Sequence, residues 1–199
     1  RDRIMDALYA IGTTQPQPGV TPGRGLYEVH HKVVNTSEQG IPQNRSRWYC
    51  VGIRRGVLKA TDSPFRFPEP IKCPKIQDLL DMTPGQGSKG ESPSSAANIE
   101  KAERVIWNQG ADPSKRHFVV DCDASDSRVH WMEGISPCIT KARYKGHYVT
   151  SKRGRFSTED MFRLQGMNPT KFHVAVNESQ LGKQVGNAMS VNVLSLIHI

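Results

Sequence analysis

Seven prolines divide the middle of this 199-residue chain into short pieces. They lie at positions 64, 68, 70, 74, 84, 93 and 113. Proline has a fixed φ angle and no backbone N–H, so it interrupts both helices and the hydrogen-bond ladders of sheets. Regular elements between residues 56 and 150 must therefore be short. We expect a small, irregular α+β region there, in a chain long enough for one or two domains.

Hydrophobic patterns predict three elements in the first 55 residues. Apolar spacings of three and four predict an amphipathic helix over residues 2–11, and alternation predicts a strand over residues 27–34. The unbroken apolar run at residues 48–53 is typical of a strand buried on both faces. Residues 12–25 are rich in Gly and Pro, which predicts a loop.

Further elements are predicted in the remaining chain from periodicity and from helix-capping residues. They are a helix over residues 97–107, short strands over residues 117–121 and 129–132, a helix from Thr158 to Gln165 with Ser157 or Thr158 as its cap and Gly166 at its end, and an apolar tail over residues 191–197. We expect this tail to pack against another element.

Composition excludes a membrane-spanning protein. Mean hydropathy is -0.55, and no apolar run approaches the roughly 20 residues that cross a bilayer. The four cysteines, at positions 50, 73, 122 and 138, form no C-x-x-C pair, so zinc-ribbon spacing is absent. We expect a reducing, intracellular setting, the nucleus of a eukaryote or the cytoplasm of a bacterium.

Positive charge is concentrated in one stretch. The chain carries a formal charge of +8, and residues 141–155 hold six cations and no acid. These cations are Lys141, Arg143, Lys145, Lys152, Arg153 and Arg155. Such a cluster attracts a polyanion, and the alternative is a solvated basic loop.

Two patterns that suggest ligand sites fit loops better. Residues 85–90 satisfy G-x-G-x-x-G, but Pro84 precedes them, whereas a dinucleotide site needs a strand before the glycines and a helix after them. The acidic run at residues 121–126 lacks the glycine of a calcium loop, so we expect a polar turn. No histidine spacing indicates a metal site.

Three other stretches are more informative, and they occur in a fixed order at residues 39–47, 155–169 and 180–191. Arg45 and Arg47 share parity, so an extended chain places both on one side, where they suit phosphate or base-carbonyl oxygens. Gly186 allows the backbone to approach a ligand closely, with Asn187 to bond it. Each stretch taken alone also fits surface arginines, a packed helix or a polar turn.

Together these stretches resemble the C-terminal portion of the DNA (cytosine-5) methyltransferases. Q-N-R-S-R at residues 43–47 is similar to the eighth motif of that family, Q-x-R-x-R. Residues 156–166 are similar to the ninth motif, and Q-V-G-N-A at residues 184–188 to the tenth. The family has a variable target-recognition region between its eighth and ninth motifs, which residues 56–150 would occupy.

The resemblance implies an α/β fold. Residues 1–55 would end a Rossmann-like, S-adenosylmethionine-dependent catalytic domain, residues 56–150 would form an inserted target-recognition domain, and residues 151–199 would return to the catalytic domain. The implied reaction transfers a methyl group from S-adenosyl-L-methionine to carbon 5 of a cytosine flipped out of DNA.

The resemblance also implies roles for individual residues. Arg47 would contact the carbonyl oxygen of the flipped cytosine, and Arg45 and Gln43 would support its loop. Asn187 and Ala188 would close one wall of the cofactor pocket. Arg163 would be structural, and the six cations between residues 141 and 155 would face double-stranded DNA.

The family's Pro-Cys-Gln nucleophile loop, F-x-G-x-G cofactor loop and E-N-V glutamate are absent from these 199 residues. Cys138 follows a proline, but it lies at the end of the variable region, and we assign it no catalytic role. We therefore expect an N-terminally truncated fragment that transfers no methyl group by itself. Two alternatives are a tRNA cytosine-5 methyltransferase of the same fold and a non-catalytic DNA-binding remnant.

Overall fold

The computed structural model describes residues 2–11, 25–55 and 64–197. These residues form two compact units. The first lies within Arg1–Val34 and Arg47–Glu69, and the second within Asn35–Ser46 and Pro70–Ile199. Nearly all of the loop predicted over residues 12–25 lies outside the described residues.

The first unit holds a helix and most of two paired strands. They are α1 (Asp2–Ala10), β1 (Tyr27–Asn35) and β2 (Ser46–Arg54). The helix predicted over residues 2–11 and the strand predicted over residues 27–34 are therefore confirmed. Met5 is the buried residue of α1, whereas Ile4 is 55% exposed, so part of the helix's apolar surface faces water.

The strand predicted over residues 48–53 is present as β2, but the prediction that it is buried on both faces is wrong. Tyr49 is buried, whereas Trp48, Cys50 and Gly52 are exposed. Within the described residues this sheet has two strands, and a two-stranded sheet leaves much of its surface in water. An apolar run without alternation does not reveal how many neighbours a strand has.

A four-stranded antiparallel sheet lies in the second unit, in the order β4-β3-β5-β6. Its strands are β3 (Phe118–Val120), β4 (Trp131–Glu133), β5 (Tyr148–Val149) and β6 (Gly154–Arg155). All three residues of β3 are buried. The two strands predicted over residues 117–121 and 129–132 are confirmed, with boundaries that differ by one or two residues.

A helix packs on this sheet. It is α3 (Pro93–Asn108), which begins four residues before the helix predicted over residues 97–107. Ser92 accepts a hydrogen bond from the backbone N of Ser95 at 3.2 Å, and Pro93 suits the first helical position. The predicted apolar face is confirmed, because Ile99, Ala102 and Ile106 are buried.

The second unit has four further helices, and its larger core lies among the first three of them and the sheet. The helices are α2 (Ile76–Leu79), α4 (Thr158–Leu164), α5 (Glu178–Asn187) and α6 (Val191–Ile197). Ser157 caps α4 in a capping box with Asp160. The predicted helix and its cap are confirmed, and the tail packs as expected because Val193 is fully buried.

The glycine pattern at residues 85–90 forms turns rather than a dinucleotide site, as predicted. The backbone N of Gly85 donates to the carbonyl oxygen of Lys152 at 2.7 Å. A Cβ atom at Gly85 would lie 2.5 Å from the carbonyl oxygen of Arg153. Glycine is needed there because two backbone segments meet.

The acidic run at residues 121–126 forms a polar turn, also as predicted. Asp121 pairs with Arg143 and Asp123 with Arg155. In the part of the chain that the structure describes, no group of three or more His, Cys, Asp and Glu side chains could hold a metal ion. None of the helices described there is long and apolar enough to cross a membrane.

Candidate functional site

Gln43 is fully buried in the second unit and joins two distant segments. Its side-chain Nε2 donates to the carbonyl oxygen of Leu164 at 2.6 Å. Its Oε1 accepts from the backbone N of Ile139 at 3.2 Å. Both ends of the amide are therefore satisfied, as a buried polar group requires. The result is a link between the end of α4 and the segment that leads into the basic stretch.

Arg45 is also buried, with 5% of its surface exposed. Its guanidinium donates to the carbonyl oxygens of Ile139 at 2.5 Å and of Ala188 at 2.7 Å. The carbonyl oxygen of Gly186 lies 3.5 Å away. These recorded partners are backbone carbonyls, which gain from a charged donor in a dry setting. Arg45 thus fastens the residues after α5 to the segment at Ile139.

Two glycines of α5 bring its backbone against the same segment. A Cβ atom at Gly182 would lie 2.2 Å from the carbonyl oxygen of Tyr144, and one at Gly186 would lie 2.3 Å from that of Thr140. No L side chain fits at such distances. Gly186 was expected to admit a ligand, and in the structure its close neighbour is the chain's own backbone.

Gln165 joins the ninth-motif and tenth-motif stretches. Its Nε2 donates to the carbonyl oxygen of Val185 at 2.9 Å, and its own carbonyl oxygen accepts from the backbone N of Val191 at 2.9 Å. With Gln43 and Arg45, it brings all three stretches of the sequence into contact. Segments more than a hundred residues apart therefore form one site.

Arg47 has a different environment from Arg45. Arg45 is buried in the second unit, whereas Arg47 lies near the start of β2 in the first unit and is exposed. An exposed guanidinium on a strand can reach a ligand, and a buried one bonded to carbonyls cannot. The shared parity of the two arginines does not give them a shared role.

Asn187 and Ala188 lie at the end of α5, and Ala188 lies beside a cleft. The side chain of Asn187 is exposed and Ala188 is half-buried. Ala188 lines a cleft of about 340 Å³ whose other walls are mainly apolar, including Phe162, Leu181 and Val185. Ala188 thus brings a small side chain to the wall of an apolar cleft, and Asn187 places an exposed amide next to it in the sequence.

Three of the six cations in the basic stretch are held by carboxylates of the second unit. Lys152 lies 3.3 Å from Asp160, and both are buried. Arg155 bonds both Glu91 and Asp123 at 2.7 Å. Arg143 bonds Asp121, as described above. These side chains stabilise the fold and leave little of their charge for a ligand.

The Arg155 ion pairs also affect a titrating group. Burial by itself would raise the pKa of Asp123, but the hydrogen bonds and charge of Arg155 hold that pKa below its ordinary value. Asp123 is therefore ionised at neutral pH and remains bonded to Arg155.

The other three cations of the stretch, Lys141, Lys145 and Arg153, are exposed. Lys141 and Lys145 flank a short turn that packs on α5. Arg153 has a φ of 55° and is the one non-glycine residue with positive φ among the described residues. These are the cations of the stretch that are available to a polyanion.

Sequence reasoning missed His147, which is almost completely buried beside the basic stretch. Its Nε2 lies 3.4 Å from the carbonyl oxygen of Cys138, and its Nδ1 lies 3.8 Å from Asp121. Burial lowers the pKa of His147 to about 4, although Asp121 acts in the opposite direction. The one sequence feature that could have indicated the burial of His147 is the apolar Tyr-Val pair that follows it.

Comparison with known proteins decides the family. The sequence model of the C-5 cytosine-specific DNA methylase family matches residues 23–198. The chain belongs to this family. The resemblance seen in the three stretches is confirmed.

Several curated relatives are similar over most of this methylase chain. The Type II methyltransferase M.HaeII of Haemophilus aegyptius is 30% identical over an alignment of 184 residues, and the alignment covers 86% of this chain and 49% of the relative. M.NgoBI of Neisseria gonorrhoeae is 29% identical, covering 84% and 49%. M.HhaI of Haemophilus parahaemolyticus is 26% identical, covering 86% and 52%. The chain spans about half the length of the relatives that it matches.

Membership in the family supports two coarser predictions. The chain has mixed α/β structure, in keeping with a Rossmann-like methyltransferase. Proteins of this family generally use S-adenosyl-L-methionine. The roles of Arg47, Asn187 and Ala188 stay predictions.

Proposed function

We propose that this chain is the later part of a DNA (cytosine-5) methyltransferase, which transfers a methyl group from S-adenosyl-L-methionine to carbon 5 of cytosine in DNA. The observation that carries the proposal is the meeting of the three family motifs around Gln43, Arg45 and Gln165. Contacts between stretches so far apart in sequence are not expected of chance motif matches.

We propose that residues 1–55 and 151–199 belong to the catalytic domain and that residues 56–150 form an inserted target-recognition region. The proline-rich middle supports this division, because its elements α2, β3 and β4 are short, but the expectation of short elements is wrong for α3, which has 16 residues. The strands β5 and β6 pair across the proposed boundary at residue 150, so the recognition region and the return segment share a sheet.

Arg47 is proposed to contact the target cytosine. Arg47 is an exposed residue, and a guanidinium donor aimed at the carbonyl oxygen stabilises the negative charge that develops on the ring. Gln43 and Arg45 are proposed to support the loop that leads to Arg47, since their side chains bond backbone groups of the second unit.

Asn187 and Ala188 are proposed to form one wall of the S-adenosyl-L-methionine site. The cofactor supplies the methyl group. The amide of Asn187 can donate to and accept from a polar group of the cofactor, and the small side chain of Ala188 leaves room beside the cleft. The remaining walls would come from a part of the enzyme outside these 199 residues.

Lys141, Lys145 and Arg153 are proposed as DNA contacts. All six cations of the basic stretch were candidates for DNA contacts. The other three, Arg143, Lys152 and Arg155, form ion pairs that give them a structural role. Exposed cations contribute to phosphate binding by releasing counterions from DNA.

Two measurements on the purified 199-residue chain test the proposal. We expect the chain to bind duplex DNA in preference to tRNA of similar length in a competition experiment. We expect it to incorporate no methyl group from labelled S-adenosyl-L-methionine, because the Pro-Cys-Gln nucleophile is not in its sequence. Preference for tRNA would point to the RNA enzyme, and methyl incorporation by this chain would contradict the assignment of its parts.

A further inference from the structure

One buried guanidinium joins the two proposed ligand surfaces. Arg45 bonds the carbonyl oxygen of Ile139 on one side and that of Ala188 on the other. Ile139 begins a segment, residues 139–145, that presents the exposed Lys141 and Lys145. Ala188 belongs to the proposed cofactor wall. A single side chain therefore fixes the backbone of the DNA-facing segment relative to that of the cofactor wall.

The same two pieces of chain also touch each other directly. The carbonyl oxygens of Thr140 and Tyr144 lie against Gly186 and Gly182, with no side chain between the backbones. Lys183 places its Nζ 5.0 Å from the ring centroid of Tyr144. A shift of one backbone cannot be absorbed by side-chain motion at such a contact. While Arg45 bonds both segments, residues 139–145 and α5 should therefore move as one block.

Arg45 and Gln43 hold this block in place. Gln43 bonds the backbone N of Ile139 and the carbonyl oxygen of Leu164, so it anchors the block to α4. Removing the Arg45 guanidinium would take a charged donor from the carbonyl oxygens of Ile139 and Ala188, which destabilises the local structure. The expected consequence is a change in both attached segments together.

We propose that Arg45 is a positioning residue that couples DNA binding at residues 139–145 to the cofactor wall at Asn187 and Ala188. This inference rests on the proposed function, from which it takes both surfaces. Arg45 itself is buried and bonded to backbone, so it acts through these segments. Coupling of this kind is reciprocal. DNA that holds residues 139–145 in place also holds the end of α5 in place.

Amide hydrogen exchange of the 199-residue chain, with and without a duplex oligonucleotide, tests the coupling. In the unmodified chain we expect the duplex to slow exchange in residues 139–145 and also at the end of α5, by about fivefold or more. In Arg45→Ala we expect exchange of both segments in the free protein to rise about tenfold. The duplex should then protect residues 139–145 and no longer protect α5.

Three further variants make the test specific. Arg116→Ala removes the same charge from an exposed arginine that pairs with Glu133, and both effects should survive in it. Arg45→Lys keeps a charged donor and should give intermediate exchange. If Arg45→Ala does not fold, Gly186→Ala serves instead, because its Cβ would push Thr140 away and should abolish protection of α5 by DNA.

The outcomes separate this proposal from the proposed function. A chain that binds no duplex at low salt contradicts both. Equal protection of α5 by DNA in the unmodified chain and in Arg45→Ala overturns the coupling alone. Faster exchange throughout α3, equal to that in the block, would make Arg45 an ordinary core residue. A salt dependence of duplex binding that weakens in Arg45→Ala by about 0.9 in slope would make it a phosphate contact.

Discussion

Arg45 and Arg47 show how much two neighbouring residues of one type can differ. Arg45 has lost nearly all contact with water and bonds carbonyl oxygens. Arg47 is exposed on a strand. The sequence places both in one motif and on the same side of an extended chain. Because an arginine is exposed far more often than it is buried, exposure is the expectation for both. Nothing in the sequence distinguishes them, since the partners of Arg45 are backbone carbonyls and the distant Sγ of Cys138 at 3.5 Å.

The role of Arg47 is testable in the full-length product of the gene that contains this segment. Arg47→Ala should lower turnover by about two orders of magnitude, because a donor to the developing charge is lost. Affinity for duplex DNA should change little. Turnover would be measured by methyl incorporation and affinity by anisotropy of a labelled duplex. Collapsed affinity with normal turnover of bound DNA would make Arg47 a phosphate contact.

His147 should make stability depend on pH. Burial lowers its pKa from 6.5 to about 4 in the folded chain, so between those values the unfolded state binds the proton more readily. Stability should therefore be highest above pH 6.5 and fall as the pH drops toward 4, by up to about 1.4 kcal/mol per pH unit. The groups facing the ring are Asp121, Arg143 and His130.

Urea unfolding at several pH values measures this effect. His147→Gln removes the titrating ring and keeps a polar side chain that can bond the carbonyl oxygen of Cys138. It should flatten the dependence between pH 6.5 and 4, although it lowers stability overall. An unchanged slope in this variant would show that the carboxylates, and not His147, set the acid limit.

Glycines end and join the helices of the second unit. Gly166 has a φ of +73° and ends α4 in the left-handed region. A Cβ atom there would also lie 2.1 Å from Oδ1 of Asn192 on α6. Gly110 has a similar φ of +82° after α3, with open space around it. Substitution of Gly110 therefore tests the cost of backbone strain alone, whereas substitution of Gly166 tests backbone strain together with a steric conflict.

Gly166→Ala should therefore destabilise the chain more than Gly110→Ala. Both variants carry the cost of a left-handed alanine, about 1 kcal/mol. Gly166→Ala must in addition displace Asn192, whose Nδ2 donates to the carbonyl oxygen of Gln39 at 3.3 Å. We expect an extra loss of about 1 kcal/mol or more. Equal free energies of unfolding in the two variants would show that Asn192 can be displaced from the α4–α6 junction at no cost in stability.

Most elements were predictable because their signals are local. Ile99, Ala102 and Ile106 repeat with a helical period, and Ser157 with Asp160 forms a cap within four residues. The burial of β2 was not predictable, because it depends on which other strands are present. Lys152 and Asp160, which form an ion pair, lie only eight residues apart in the sequence. Arg155 pairs with Glu91, which lies 64 residues away, and no local sequence pattern predicts such a pair.

At the scale of the whole molecule, the described residues of both units expose large apolar side chains. Ile4 and Tyr9 of α1 and Phe172 beside the Ala188 cleft are about half exposed. The chain spans about half the length of its relatives. Exposed apolar patches of this kind mark interaction surfaces. They agree with the proposal that another part of a methyltransferase packs on this one.

Duplex binding by the molecule should depend on three exposed cations and not on its net charge. Lys141→Ala, Lys145→Ala and Arg153→Ala should each reduce the slope of log affinity against log salt by about 0.9. Lys152→Met removes the same charge at a buried site and should leave the slope unchanged. Anisotropy titrations of a labelled duplex over a salt series measure these slopes. A slope that falls equally in all four variants would show that charge alone, wherever it lies, governs binding.

The most direct test of the account is to assay the full-length product of the gene that contains these 199 residues. Purified enzyme, duplex DNA and S-adenosyl-L-methionine should yield 5-methylcytosine in the DNA, detected by mass spectrometry of the nucleosides. The 199-residue chain assayed alongside should yield none. A full-length product that methylates tRNA and leaves DNA unmodified, or that binds DNA without modifying it, would contradict the assignment.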